Sequence, residues 1–151
     1  MNNLTVPTAI DHFTEKELAC KGTGIILLDA RFAVALVSLR NEWNKPLIPN
    51  SVCRTPEHNK NEGGHPTSLH LTENPKHPTN GTMAADIRWA NWTLARKIEF
   101  ARFCWKRGWS IGLHNSFIHI DRRIDVGMKQ RVFLYGAWNN EFGEKEIRNA
   151  A

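Results

Sequence analysis

Polar and apolar side chains alternate strictly in the stretch Phe117-Ile118-His119-Ile120-Asp121. Successive side chains of a β-strand point to opposite faces, so Ile118 and Ile120 share one face while His119 and Asp121 share the other. The pattern predicts a strand whose apolar face meets the core and whose polar face lines a cleft. The alternative interpretation is a surface strand whose polar pair forms ion pairs with the two arginines that follow.

Further short strands are predicted around this one, because runs of β-branched, aromatic and aliphatic residues are bounded by turn residues. The predicted strands are 47–53, 83–87, 109–113, 116–122 and 131–135. Strands and helices are grouped rather than strictly alternating along the chain. This order favours an α+β fold, with a small antiparallel sheet packed against two long helices and a short one.

The two long helices are predicted from apolar side chains that recur every three or four residues. The first runs from a cap at Asp29 to about Asn44, and the second covers 93–107. A short helix within 11–20 begins at a capping box formed by Thr14 and Glu17. Thr55 followed by a proline is a typical cap and first turn of another short helix.

Two segments carry no regular pattern. Residues 61–82 are rich in Gly, Pro, Asn, Thr and His, and we expect a long ordered loop there. The polar tail 141–151 is expected to lie on the surface or to fray. The whole chain 1–151 is expected to form a single domain, because its length suits one core.

The composition excludes a membrane protein and indicates an anionic partner. With 41% hydrophobic and 23% charged residues among 151, no apolar run approaches the roughly 18 needed to span a bilayer. The start has no recognisable signal peptide, so we expect synthesis in the cytoplasm. The net charge is +5, and residues 101–151, with nine Lys or Arg against five Asp or Glu, contribute +4 of it. An anionic cell wall or a nucleic acid would suit this charge.

The three cysteines, Cys20, Cys53 and Cys104, are odd in number, widely spaced and without a CxxC pair. This spacing argues against a disulfide framework and against a cysteine-based zinc site. We therefore expect free thiols.

Three residues form a candidate metal site. Asp86 is a lone carboxylate in the small apolar run 83–87, where burial is costly unless a partner or a metal is present. His70 ends a turn-rich stretch in which Ser68 is expected to orient the imidazole ring. With His119 these residues match a recurring ligand set for catalytic zinc, two histidines and one carboxylate with a fourth position open. Loop histidines are also commonly solvated, which is the plainer interpretation.

Several motifs, in order along the chain, resemble the zinc D-Ala-D-Ala carboxypeptidases and L-alanyl-D-glutamate endopeptidases that cleave peptidoglycan stem peptides. These enzymes share the Hedgehog/DD-peptidase fold, and the small phage-encoded members are the most similar. The segments that carry the resemblance are 12–14, 17–20, 45–48, 53–59, 68–70, 84–87 and 117–121.

The resemblance implies that His70, Asp86 and His119 bind Zn²⁺ in a cleft on the sheet. It also implies that Arg54 reaches the cleft, where a guanidinium pairs with a substrate carboxylate or polarises the scissile carbonyl. Zinc would lower the pKa of its bound water to about 7 and stabilise the developing oxyanion.

The sequence departs from the family pattern between the first two ligands. The family usually separates them by six residues, whereas here fifteen, 71–85, intervene. An insertion such as 72–79 would lie at the cleft rim, with Gly81 the nearest remnant of the family glycine. It would shape specificity, act as a lid or be a tolerated surface loop. His77 within it is an alternative ligand to His70.

A second departure concerns the general base. Many family members carry a carboxylate three residues before the last zinc histidine, where this chain has Ser116. Asp121 is the available carboxylate, either as the base or as a residue that orients a metal ligand. His114 is a candidate electrophile or proton donor, or an ordinary turn histidine.

We therefore expect a monomeric zinc peptidase that hydrolyses a bond of the peptidoglycan stem peptide, as a phage lysin does. Such a protein would reach the cell wall or periplasm after release through a holin, or would be carried by a virion. One rival is a wall-binding or protein-binding module that keeps the zinc site without catalysis. A nucleic-acid-binding protein is a second rival, but the chain lacks a recognition motif for it, so we expect no nucleic-acid partner.

Overall fold

The structure, a computed structural model, describes residues 9–148 and centres on a five-stranded sheet. The strands lie in the order β1-β2-β4-β3-β5. Their bounds are β1 Pro49–Ser51, β2 Ala84–Arg88, β3 Ser110–Leu113, β4 Phe117–Asp121 and β5 Val132–Leu134. All neighbours are antiparallel except β3 and β5, which run parallel. The α+β class is confirmed, with β5 as the one departure from a purely antiparallel sheet.

Two long helices and three short ones accompany the sheet in the described part of the chain. They are α1 Glu15–Leu18, α2 Ala30–Trp43, α3 Pro56–Asn61, α4 Leu94–Lys106 and α5 Glu144–Arg148. A 3₁₀ turn covers Arg123–Val126. The predicted caps are confirmed at Thr14, Asp29 and Thr55, where each side chain accepts a backbone N–H of the first helical turn.

The register between β2 and β4 separates polar from apolar side chains. Asp86 lies opposite His119, and Ile87 lies opposite Ile118. Because faces alternate along each strand, the polar pair shares one face of the sheet and the isoleucines share the other. The isoleucines belong to a core in which Phe32 of α2 and Phe100 of α4 are also fully buried. The face opposite this core is thus left for the polar residues.

The insertion is anchored to the start of α2. The buried carboxylate of Asp29 accepts N–H groups of Arg31 and of Asn80, and the Arg31 guanidinium donates to the carbonyl of Pro78 at 3.1 Å. Within the insertion, Asn74 Nδ2 donates to the carbonyl of Thr67 at 3.0 Å. These bonds hold residues 72–80 as an ordered part of the fold.

The described part of the tail lies on the surface, and it is docked rather than frayed. Residues 144–148 form α5, which packs against α4 and buries Ile147. Phe142 is also buried, and its carbonyl accepts a hydrogen bond from Trp138 Nε1 at 3.0 Å. Two apolar side chains in a charged tail are enough to dock it. Residues 149–151 lie outside the described part.

The three cysteines are the free thiols that their spacing predicted. Cys20, Cys53 and Cys104 are free and buried. No helix within residues 9–148 is both long enough and apolar enough to cross a membrane.

Candidate metal centre

Three potential ligands converge on the polar face of the sheet. Asp86 lies in the middle of β2 and His119 in the middle of β4, and their register places them side by side. His70 comes from the loop before β2. Its backbone carbonyl accepts a hydrogen bond from the N–H of Arg54 at 3.0 Å. The ligand atoms of the three residues all lie within 4.8 Å of one another, and all three residues are buried.

The separations of these atoms suit a tetrahedral zinc ion. Asp86 Oδ1 lies 3.1 Å from His70 Nε2 and 3.0 Å from His119 Nδ1. Ligand atoms that each lie 2.0–2.1 Å from a tetrahedral zinc are roughly 3.3 Å apart. An ion therefore needs only small shifts of these side chains to be bound, and the donor set of two imidazoles and one carboxylate is one that zinc favours.

The outer nitrogen of each imidazole is held by an acceptor. His70 Nδ1 lies 2.7 Å from the carbonyl oxygen of Val52, which can only accept, so this nitrogen carries the proton. His119 Nε2 lies 2.8 Å from Asp121 Oδ2 and likewise donates to it. The inner nitrogen of each ring thus faces Asp86. Without a metal, protonated His119 donates from Nδ1 to Asp86 Oδ1, and loss of that proton frees the lone pair that coordination requires.

Asp121 is fully buried behind His119 and saturated with hydrogen bonds. Its Oδ1 accepts the backbone N–H of Arg123 and its Oδ2 accepts Nη2 of the same arginine at 2.6 Å. The carboxylate thus contacts the ring nitrogen remote from the metal group. Of the two roles expected for Asp121, this geometry supports orientation of His119 rather than direct proton transfer.

Without a metal, the pKa values of the group keep Asp86 ionised and His119 protonated. Burial opposes ionisation, but His70 and His119 hold the pKa of Asp86 below its usual range. Burial also disfavours a charged His119, yet its bonds to Asp121 and Asp86 raise its pKa to about 9. Burial lowers the pKa of His70, which keeps that ring neutral. A bound zinc ion would displace the proton from His119 and take over the attraction of Asp86.

A cleft of about 450 Å³ opens over His119. Its walls come from the loop 65–69, the insertion, the segment after β4, and β5. The lining side chains are those of His65, Thr67, Ser68, Leu69, Lys76, His77, His119, Asp121, Arg123, Met128, Arg131, Phe133 and Tyr135. Three depressions of the described residues are larger, at about 470, 630 and 700 Å³, and none is lined by the three potential ligands, so chemistry rather than size identifies the site.

Ser68 and His77 lie near the metal group without belonging to it. Ser68 Oγ accepts the backbone N–H of His70 at 3.1 Å, so it fixes the main chain, while the Val52 carbonyl orients the ring. The expectation that Ser68 holds the ring orientation is wrong, because its hydroxyl bonds to the backbone. His77 lines the cleft but lies outside the group of three, which His70 completes.

Arg54 lies beside the metal group. Its guanidinium donates from Nη1 to Asn59 Oδ1 at 3.1 Å, and its Nε is buried without a partner among the described residues. After burial, the Arg54 charge also contributes to the low pKa of His70. Arg54 is not among the described residues that line the cleft, so the expectation that its guanidinium reaches the cleft stays a prediction.

His114 and Ser116 occupy the turn between β3 and β4. The His114 ring stacks on Phe117, with centroids 4.3 Å apart, and meets Tyr135 edge-on at 5.6 Å. Ser116, which stands at the family's carboxylate position, is exposed and lines a different depression. His114 contacts the cleft residue Tyr135, but neither His114 nor Ser116 is among the described residues that line the cleft.

Phe133 and Tyr135 are cleft residues that the sequence interpretation missed. The Phe133 ring packs against His119 with centroids 5.4 Å apart. It can do so because Gly112 lies opposite His119, where a Cβ would come within 2.5 Å of the Phe133 ring. Burial, and then the Asp86 charge, raise the pKa of Tyr135, so its hydroxyl stays protonated. The alternation of side chains along the predicted strand 131–135 was the signal that could have identified both residues.

The fold and the site together define a centre of the kind found in metal-dependent hydrolases. A buried His-Asp-His group lies beneath an open cleft. A family model described as Peptidase M15 matches residues 11–121, which are 111 of the 151 residues. The chain belongs to the peptidase M15 family, and it is accordingly a zinc metallopeptidase. Searches of curated proteins and of solved structures gave no significant match.

Proposed function

We propose that the protein hydrolyses a peptide bond in the stem peptide of peptidoglycan. The observation that carries the proposal is the group His70, Asp86 and His119 beneath an open cleft in a chain of the peptidase M15 family. The motif resemblance to enzymes that cleave stem peptides supports this substrate. The net charge of +5 supports attraction to an anionic wall, which salt would weaken.

Zinc held by His70, Asp86 and His119 would polarise the scissile carbonyl and lower the pKa of a water molecule. The remaining steps fall to the chain's own residues. Asp121 and Arg123 keep His119 in the tautomer that presents Nδ1 to the site. The Val52 carbonyl does the same for His70.

Arg54 and His114 are the residues proposed to act on the substrate. Arg54, whose Nε has no partner among residues 9–148, is the proposed donor to a substrate carboxylate or to the scissile carbonyl. His114 Nδ1 accepts the backbone N–H of Ser116 at 3.0 Å, so a neutral ring carries its proton on Nε2. That nitrogen is the proposed proton donor to the leaving amine.

A phage lysin is the proposed biological role, acting as a monomer at the cell wall after release or from a virion. The resemblance to small phage-encoded peptidases and the basic surface support this setting. Neither feature selects the bond that is cut, so carboxypeptidase and endopeptidase activities are both compatible with the proposal.

The test is digestion of purified peptidoglycan with mass analysis of the released fragments. We expect stem-peptide fragments that disappear with a chelator, return with added zinc, and are absent with His119→Ala. His12→Ala is the matched control, because His12 is exposed and contacts Asn41 outside the cleft. Release of the same fragments in the presence of chelator would overturn the proposed mechanism.

A non-catalytic wall-binding module is a second candidate, and one observation favours it. Among the described residues that line the cleft, Asp121 is the one carboxylate, and both its oxygens are already bonded. A protein that binds peptidoglycan and one equivalent of zinc without releasing fragments would fit this candidate. Fragment release that is lost with His119→Ala would exclude it.

A further inference from the structure

The side chains that line the cleft include more cations than carboxylates. Lys76, Arg123 and Arg131 line it, against Asp121 and the metal ligand Asp86. Arg123 is occupied by Asp121, to which it donates from Nε and Nη2. Within residues 9–148, no carboxylate lies within ion-pairing distance of Lys76 or Arg131. Two cations are thus free to meet a ligand.

Arg131 lies close to the metal group. Its guanidinium carbon is 5.4 Å from the centroid of Phe133, which is itself 5.4 Å from the centroid of His119. These two steps place the guanidinium within about 11 Å of the His119 ring. An extended peptide advances about 3.3–3.6 Å per residue, so this reach corresponds to about three residues.

The backbones that present the two cations are fixed. Arg131 donates its N–H to Ser110 Oγ at 3.0 Å, and its carbonyl accepts the N–H of Ile111 at 2.9 Å. Lys76 donates its N–H to Asn74 Oδ1 at 3.0 Å. Anchoring of this kind lowers the entropy that the side chains lose when a ligand binds.

We propose that Lys76 and Arg131 form a subsite for a carboxylate of the substrate, within about three residues of the scissile bond. The inference rests on the proposed peptidase function and deepens it, because it identifies the preferred substrate as an acidic peptide. Lys76 belongs to the insertion, and Arg131 lies beyond the residues that match the family model.

The test compares two synthetic stem peptides that differ only in one glutamate, which carries either a free carboxylate or a carboxamide. Both are labelled, and their affinity for the zinc-loaded protein is measured by fluorescence anisotropy, in parallel with kcat and KM. We expect the carboxylate peptide to bind about tenfold more tightly. Arg131→Gln and Lys76→Gln should each reduce this ratio severalfold, through KM rather than kcat, and the double variant should bring it close to one.

Two matched variants serve as controls. Arg131→Lys retains the charge and should keep most of the preference. Lys129→Gln removes an exposed charge two residues away that does not line the cleft, and should leave the ratio as in the wild type. Circular dichroism and zinc content check that each variant is folded and loaded.

Equal affinity of the wild type for the two peptides would overturn the subsite. So would an equal loss with Lys129→Gln and Arg131→Gln, since that would reflect long-range attraction alone. Tight binding that depends on Arg131 without any cleavage would support the subsite and contradict the peptidase. Cleavage of peptidoglycan with no carboxylate preference would support the peptidase and contradict the subsite. Failure of the subsite and failure of the proposed function are therefore distinguishable.

Discussion

Asp121 lies directly behind His119: its Oδ2 accepts a hydrogen bond from Nε2 at 2.8 Å, while Nδ1 of the same ring faces Asp86 at 3.0 Å. The carboxylate therefore supports a metal ligand from the side remote from the metal. The sequence alone left two roles open for Asp121, the general base and the residue that orients a ligand, and this contact is the one that the orienting role requires.

Replacing Asp121 with asparagine should weaken zinc binding by about 10- to 100-fold, because the charge that orients His119 and raises its basicity is lost. Competition with a chromophoric chelator measures this affinity. Asp125→Asn is the control, since Asp125 pairs with Arg122 away from the cleft. Unchanged zinc affinity together with lost hydrolysis would instead assign Asp121 the role of the base.

Gly112→Ala should destabilise the fold by about 1–3 kcal/mol, because the added Cβ would overlap the Phe133 ring. Removing that ring as well, in Gly112→Ala with Phe133→Ala, should cost less than the two single changes combined. Urea unfolding of the four proteins gives the coupling energy. Strictly additive effects would mean that overlap with the Phe133 ring is not the reason why a Cβ at position 112 destabilises the fold.

Asp29→Asn should lower stability by about 1 kcal/mol at neutral pH, because it removes a buried charge that accepts hydrogen bonds from Arg31 and Asn80. Burial alone would raise the pKa of Asp29, but these bonds hold it below its usual range. The contribution is therefore complete above about pH 4 and is lost as the pH falls further. Unfolding curves at a series of pH values check this, and a difference that grows on acidification would contradict it.

Ile147→Ala should destabilise the protein by about 2–4 kcal/mol, because Ile147 is 1% exposed where α5 packs on α4. Val34→Ala is the matched control, since Val34 is 71% exposed and its loss should cost about 0.5 kcal/mol or less. Thermal or urea unfolding measures both. Similar small effects would mean that the tail is not docked in solution.

Local sequence patterns predicted much of the fold. The cap at Asp29, the end of α2 near Asn44 and the alternation in β4 each depend on neighbours within a few residues, and each is confirmed. Motif order then brought together His70, Asp86 and His119, which are far apart in sequence but adjacent in the structure.

Features that depend on distant contacts were not predicted. The parallel pairing of β5 with β3 and the carbonyl of Val52 behind His70 involve segments that carry no local signal for each other. The docking of the tail was not predicted, because its charged residues outnumber the two buried apolar side chains that dock it. The outer contacts of the metal ligands therefore required the structure.

The most direct test of the account is a crystal structure of the zinc-loaded protein with anomalous data at the zinc edge. We predict one peak bonded to His70 Nε2, to a carboxylate oxygen of Asp86 and to His119 Nδ1, each at about 2.0–2.2 Å. His119 Nε2 should still contact Asp121. A peak bound by His77 or by His119 Nε2, or no peak at these three residues, would contradict the account.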